Sequence, residues 1–122
     1  MAILAAVLVA IVALIHVYIV ILEMVLWRTP RGMRSFGTDQ AFADRSAALA
    51  ANQGLYNGFL VAGLVWGLLA ADPVGFQVTV FFLGCVIVAG IFGALTVSRR
   101  ILVVQAVPAA LALVAVVVAG QA

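Results

Sequence analysis

Six side chains interrupt apolar stretches where lipid would not tolerate them cheaply: His16, Glu23, Asn52, Gln53, Asn57 and Gln105. A carboxylate and an imidazole can bind or move a proton, and amides can donate to that carboxylate or hold a polar head group. His16 and Glu23 are seven positions apart, which at 100° per residue leaves them within about 20° of one helix face. Gln53 and Asn57, at i and i+4, share a face of a second helix. Counting 1.5 Å per residue from Trp27 sets Glu23 about 6 Å and His16 about 16 Å from the end of the first helix. The same counting from Asp44 and Arg45 brings Asn52 and Gln53 between those two depths and Asn57 just beyond His16, while Gln105 lies level with Glu23. Three helices are thereby expected to contribute polar groups to one layer.

An ionised glutamate in a membrane span is costly, so it should face the bundle interior or a wet cavity and have a partner. Arg45 is the expected intrachain partner, because its long side chain can reach up from the interface, with Asn52 or Gln105 donating to the remaining oxygen. The layer is then either an interhelical polar clamp that fixes register, or a polar pocket in which Glu23 and His16 handle a proton or a ligand head group. A metal site is not expected: the nearest ligand to His16 is Glu23, about 10 Å away along the axis. Tyr18, Tyr56, Trp27 and Trp66 fit interfacial anchoring and packing. No phosphate loop, nucleophile elbow or Cys/His cluster occurs, which excludes soluble-enzyme chemistry of those kinds, and the residues name no cofactor.

The elements that must carry these groups follow from composition. Of 122 residues, 68% are hydrophobic and 8% charged, with a mean hydropathy of +1.37, against roughly 45–50% and about 25% in soluble domains. Four stretches, 2–26, 47–71, 74–97 and 101–120, are each long enough for the about 20 residues that a membrane helix needs. The first has no basic residue before it and is too long for a signal-peptide core, so it is expected to be a retained helix. Cys85 lies in the third stretch, where it has no intrachain disulfide partner.

All six basic residues are arginines: Arg28, Arg31, Arg34 and Arg45 around the first connection, and Arg99 and Arg100 in the third. The second connection holds Asp72 and no base. The bias predicts an integral cell (inner) membrane protein with the arginine-rich loops cytoplasmic and both termini outside. A net charge of +2 is too small and too localised to imply nucleic acid, and the arginines serve as topology signals and lipid-headgroup contacts. Asp72-Pro73 and Ser98-Arg99-Arg100 make tight turns, so consecutive helices are antiparallel neighbours. The expected fold is all-α, a polytopic four-transmembrane-helix up-and-down bundle in one domain, 1–122, with helices at about 2–26, 42–71, 74–97 and 101–120. Residues 27–44 are expected to form a loop, with Pro30, Gly32, Gly37 and Thr38 as turn residues and Thr38 or Asp39 capping the second helix. Gly54, Gly58 and Ala62, and Gly84, Gly90 and Gly93, suit close helix packing. So few helices leave much surface for lipid or further copies of the chain, which favours a homo-oligomer.

Two families share these landmarks. His16-x-Tyr18, Leu22-Glu23-Met24, Trp27 and the run Asn52-Gln53-Gly54-Leu55-Tyr56-Asn57 resemble a family of small bacterial membrane proteins classed only as a domain of unknown function. The resemblance covers almost the whole chain and implies a four-span membrane protein without naming a substrate. More distantly, Asp44, Arg45 and Asn52, the Asp72-Pro73 connection, and Gln105 with Pro108 resemble the membrane-associated eicosanoid and glutathione metabolism (MAPEG) superfamily. That resemblance implies a trimer with a glutathione-like site between subunits on the cytoplasmic side. The chain departs from the superfamily pattern at Ala51 and Leu55, where a base and an acid are usual, and in having no tyrosine after Tyr56. Ser98, Arg99 and Arg100 approximate the thiolate-stabilising arginine and serine, with shorter spacing to Gln105.

The expected function is therefore a membrane protein whose cytoplasm-facing polar layer holds an amphipathic or anionic small molecule. The alternatives are a MAPEG-type thiol transferase, a proton-coupled exporter similar in size and in its helix-one Glu to the small multidrug resistance transporters, and a purely structural membrane subunit.

Overall fold

A computed structural model describes residues 2–121, so the end residues of the expected domain, Met1 and Ala122, lie outside it. The described chain is all-α: α1 (Ala2–Met24), α2 (Pro30–Phe36), α3 (Gln40–Leu69), α4 (Val74–Thr96), a π-helical turn (Leu102–Ala106) and α5 (Val107–Gln121). Among the described residues, α1, α4 and the segment from Leu102 to Gly120 are long and apolar enough to cross a membrane. α3 is longer than any of them but less apolar, because Gln40, Asp44 and Arg45 as well as Asn52, Gln53 and Asn57 fall inside it.

The residues divide into two compact units. One takes the chain up to Ile15 together with everything from Leu60 onward; the other is His16–Phe59. The first has a core of small and branched side chains, with Val9 and Val12 of α1, Leu64 of α3, Leu83 and Val86 of α4 and Ala109 and Ala112 of α5 essentially buried. α4 packs along both the π-helical turn and α5. The approach is close: a Cβ on Gly90 would lie 2.8 Å from the Ala106 backbone nitrogen, and one on Gly93 would lie 2.9 Å from Ile101. Gly84 and Gly58, grouped with them by sequence, face open space.

The π-helical turn was not expected, and Pro108 explains it. Proline has no N–H, and its ring clashes with the carbonyl four residues back, here Val104. Widening the preceding turn, so that the Val107 N–H reaches the Leu102 carbonyl, makes room for that ring.

The connections beside α4 are as tight as expected. The Asp72 carboxylate accepts the Phe76 N–H at 3.0 Å, and the Ser98 hydroxyl accepts the Arg100 N–H at 3.2 Å. The 27–44 segment differs from the expected loop. Thr29 caps α2, its hydroxyl accepting the Gly32 N–H at 3.2 Å, and Pro30 takes the first helical position. Gly32 is buried inside α2, where a Cβ would overlap the Leu26 carbonyl. Gly37 ends α2 at φ 68°, a left-handed conformation that glycine adopts without penalty. Asp39 caps α3, accepting the Phe42 N–H at 2.8 Å, so α3 starts at Gln40 rather than 42. α1 stops at Met24, two residues short of the expected end, because the Val25 and Leu26 N–H groups both turn back onto the Ile21 carbonyl.

The glycine contacts yield a paired expectation. Gly90→Ala should destabilise the protein by about 1–3 kcal/mol through overpacking, whereas Gly84→Ala should be neutral or stabilising by up to about 1 kcal/mol. Thermal unfolding in detergent, compared across the two variants and wild type, checks both.

Candidate functional site

The polar chemistry of the His16–Phe59 unit is organised by a stripe on α3. Ala43, Ala50, Gly54 and Asn57 are all buried, and their spacings of seven, four and three keep them on one helix face. At Gly54 the absence of a side chain lets the end of α1 come close: a Cβ there would collide with the Met24 side chain and approach Glu23 at 3.1 Å. One turn further on, the stripe ends in a polar group. Asn57 Nδ2 donates to Glu23 Oε1 at 2.5 Å, a buried contact between α1 and α3.

This changes the expected partner of the carboxylate. Arg45 is exposed on α3 and forms no ion pair with Glu23 among the described residues; Asn57 supplies the donor instead. The reason is positional. Arg45 precedes Asn57 by twelve residues, about 18 Å along α3, which exceeds the reach of a guanidinium. The bond also corrects the depth count: Glu23 lies level with Asn57, although counting from Trp27 and from Arg45 set them at different heights.

The other expected site residues separate. His16 is fully buried, with 1% exposure. Asn52 and Gln53 are exposed, so Gln53 does not share the buried environment of Asn57 despite the i, i+4 spacing. Gln105 is half-buried on the π-helical turn, in the other unit. Glu23 and Asn57 are the pair brought into contact.

Around α2 the structure assembles residues that were read singly. Trp27 Nε1 donates to the Ser46 hydroxyl at 3.0 Å, and its ring packs at 4.8 Å on Phe36. Arg28 Nε lies 3.9 Å from Asp44 Oδ1, an exposed pair of small energetic weight, and Asp44 also accepts from Gln40 at 2.8 Å. Arg31 Nε donates to the Tyr18 hydroxyl at 3.3 Å, with the guanidinium 6.0 Å from the Tyr18 ring centre. Tyr18, Arg31, Arg34 and Ser35 line an open groove of about 560 Å³. The sequence signal for this cluster was Thr29-Pro30 as a helix start, which turns Arg31, Arg34 and Ser35 into an i, i+3, i+4 set on one face.

A family model described as "Protein of unknown function (DUF1304)" matches residues 10–117, from within α1 almost to the end of α5. The chain belongs to this family. No curated protein and no solved structure matches it. The DUF1304 match agrees with the uncharacterised family implied by the Glu23 and Asn57 segments, both of which lie inside it.

In this DUF1304 protein, Asn57→Ala should remove the donor from a buried carboxylate and cost about 1–3 kcal/mol. Asn52→Ala and Gln53→Ala, at exposed positions, should each change stability by within about 0.5 kcal/mol. Denaturation of the three variants side by side in one detergent measures the contrast, and equal losses would contradict the assignment of Asn57.

Proposed function

We propose that this protein is an integral membrane protein of four spans, with the arginine-bearing connections cytoplasmic and both termini outside. Its intramembrane polar site, centred on Glu23 and Asn57, holds the polar head of an amphipathic or anionic small molecule from the cytoplasmic side. The observation that carries this reading is the buried Glu23–Asn57 bond. Ionisable groups within membrane helices are expensive and are generally retained for binding or proton transfer. One carboxylate oxygen is engaged by the amide, which leaves the other oxygen as a further acceptor.

The four-span topology rests on α3 crossing despite its amides. Arginines flank the start of α3 and follow the end of α4, while Asp72 sits between the two helices. If both arginine groups are cytoplasmic, α4 runs inward and α3 must run outward. At 30 residues α3 is about 45 Å long, more than the roughly 30 Å hydrocarbon core, so its first turns can remain in the cytoplasm. With Cys85 replaced by Ala, a cysteine introduced by Ser35→Cys or Ser98→Cys should be labelled by an impermeant thiol reagent only from the cytoplasmic face. One introduced by Asp72→Cys should be labelled only from outside, and labelling of all three from one face would rule out the four-span arrangement.

The ligand reading is tested by native mass spectrometry of the full chain in gentle detergent. Wild type should carry a co-purified small molecule that is lost in Glu23→Gln, a substitution that keeps shape and hydrogen bonding while removing the acid. A bare wild-type chain, or an adduct indifferent to Glu23→Gln, would leave the pair as an interhelical clamp in a structural subunit.

A second reading is favoured by the exposure of Arg45 and Asn52 on α3. Such groups on a membrane helix suit an intersubunit site, and a MAPEG-type trimer binding a glutathione-like thiol would use them there. It requires a trimer in the same spectra, and a saturable thiol adduct that disappears on Arg45→Ala or Asn52→Ala.

A further inference from the structure

We propose that the groove between α1 and α2 is a phosphate-binding site, separate from the Glu23–Asn57 pair. Arg31, Arg34 and Ser35 occupy one face of α2, and Tyr18 of α1 completes the lining. Among the described residues no acid forms an ion pair with these guanidiniums: Asp44 is 3.9 Å from Arg28, Asp39 and Asp72 accept from the first turns of α3 and α4, and Glu23 accepts from Asn57. The Tyr18 hydroxyl accepts from Arg31 Nε, which fixes that guanidinium across the groove and leaves its two NH₂ groups and the phenolic hydrogen available to an anion. Ser35 donates to the Arg31 carbonyl and so lines the groove without serving as a donor to the ligand. A forked guanidinium held in place beside a second one, with a phenol donor, is chemistry suited to the oxygens of a phosphate rather than to a single carboxylate. Arg31 and Arg34 lie beyond the end of α1, exposed on the short helix α2, so the groove is open to a lipid phosphodiester as well as to a soluble phosphate.

Native mass spectrometry of the full chain, with equal amounts of phosphatidylglycerol and phosphatidylcholine and then with added inorganic phosphate, tests this site. Wild type should retain phosphatidylglycerol preferentially. The double variant Arg31→Gln/Arg34→Gln should lower that retention by about tenfold and Tyr18→Phe by about threefold, while Arg31→Lys/Arg34→Lys, which keeps charge but loses the fork, should fall between. Arg99→Gln/Arg100→Gln removes the same charge from the same expected membrane face and should change retention by less than about twofold. Displacement of the lipid by inorganic phosphate would assign the site to soluble phosphate compounds, and persistence of the lipid would assign it to headgroups; both support a phosphate site. Retention unchanged in Arg31→Gln/Arg34→Gln, equal loss in Arg99→Gln/Arg100→Gln, or binding of neither probe by wild type would overturn it. Glu23→Gln should leave phosphatidylglycerol retention intact, which keeps this result distinct from the fate of the Glu23 site.

Discussion

A carboxylate buried on an apolar helix is the constraint to which much of the His16–Phe59 unit answers. Glu23 cannot sit in a nonpolar setting without a donor, and an amide is the partner it has. For Asn57 to reach it, α1 and α3 must approach closely at that point, and Gly54, one turn earlier on the same face of α3, provides the clearance. Gly54 and the amide are therefore one device: the glycine permits the approach, and the hydrogen bond fixes the register within it. A neutral donor can do this where a cation would bring a buried charge with its own desolvation cost.

That arrangement sets the role of the arginines. Since Glu23 is served by Asn57, none of the six arginines is drawn inward to it, and Arg31, Arg34 and Arg45 remain exposed. Arg28 meets Asp44, whereas Arg31 is tied to a phenol, which positions the guanidinium without neutralising it. α2 is too short to be stable by itself, so its position depends on what fastens it. Thr29 and Gly37 close its two ends, Gly32 lies against the Leu26 carbonyl, and Phe36 packs on Trp27, which is bonded in turn to Ser46. An element held at so many points presents its basic face in a defined orientation, as recognition requires and topology alone does not.

How legible this was differs by level. Helix positions followed from hydropathy, and the ends of α1, α3 and α4 fell within two residues of expectation because Asp39, Asp72-Pro73 and Ser98 are strong local signals. The 27–44 segment was misread because Pro30 and Gly32 are turn residues on average, yet proline at the first helical position and glycine at a tight contact belong equally to helices. The π-helical turn escaped because a proline three residues after Gln105 suggests a break, while the strain was absorbed by one widened turn. In the site, Glu23 and Asn57 were both identified from their cost in lipid, but their pairing was not. Depth counting assumes parallel axes and a common starting level, and α1 and α3 satisfy neither assumption well enough to resolve one helical turn.

The same amides help explain why α3 is less apolar than α1, α4 and the segment from Leu102 to Gly120. Asn52, Gln53 and Asn57 lower its apolarity, yet they have different fates: Asn57 is consumed by Glu23, while the other two are exposed on the single chain. An exposed amide on such a helix can be met by headgroups, by water or by another copy of the chain, each of which satisfies groups that lipid tails cannot. Hydropathy counts all three residues alike and so understates how apolar α3 is once Asn57 is paired. From Gly58 to Leu69 the helix carries no charged or amide side chain, and Leu64 within it is part of the buried core. α3 is thus a more polar half joined to an apolar half, and the Glu23–Asn57 bond lies at the junction.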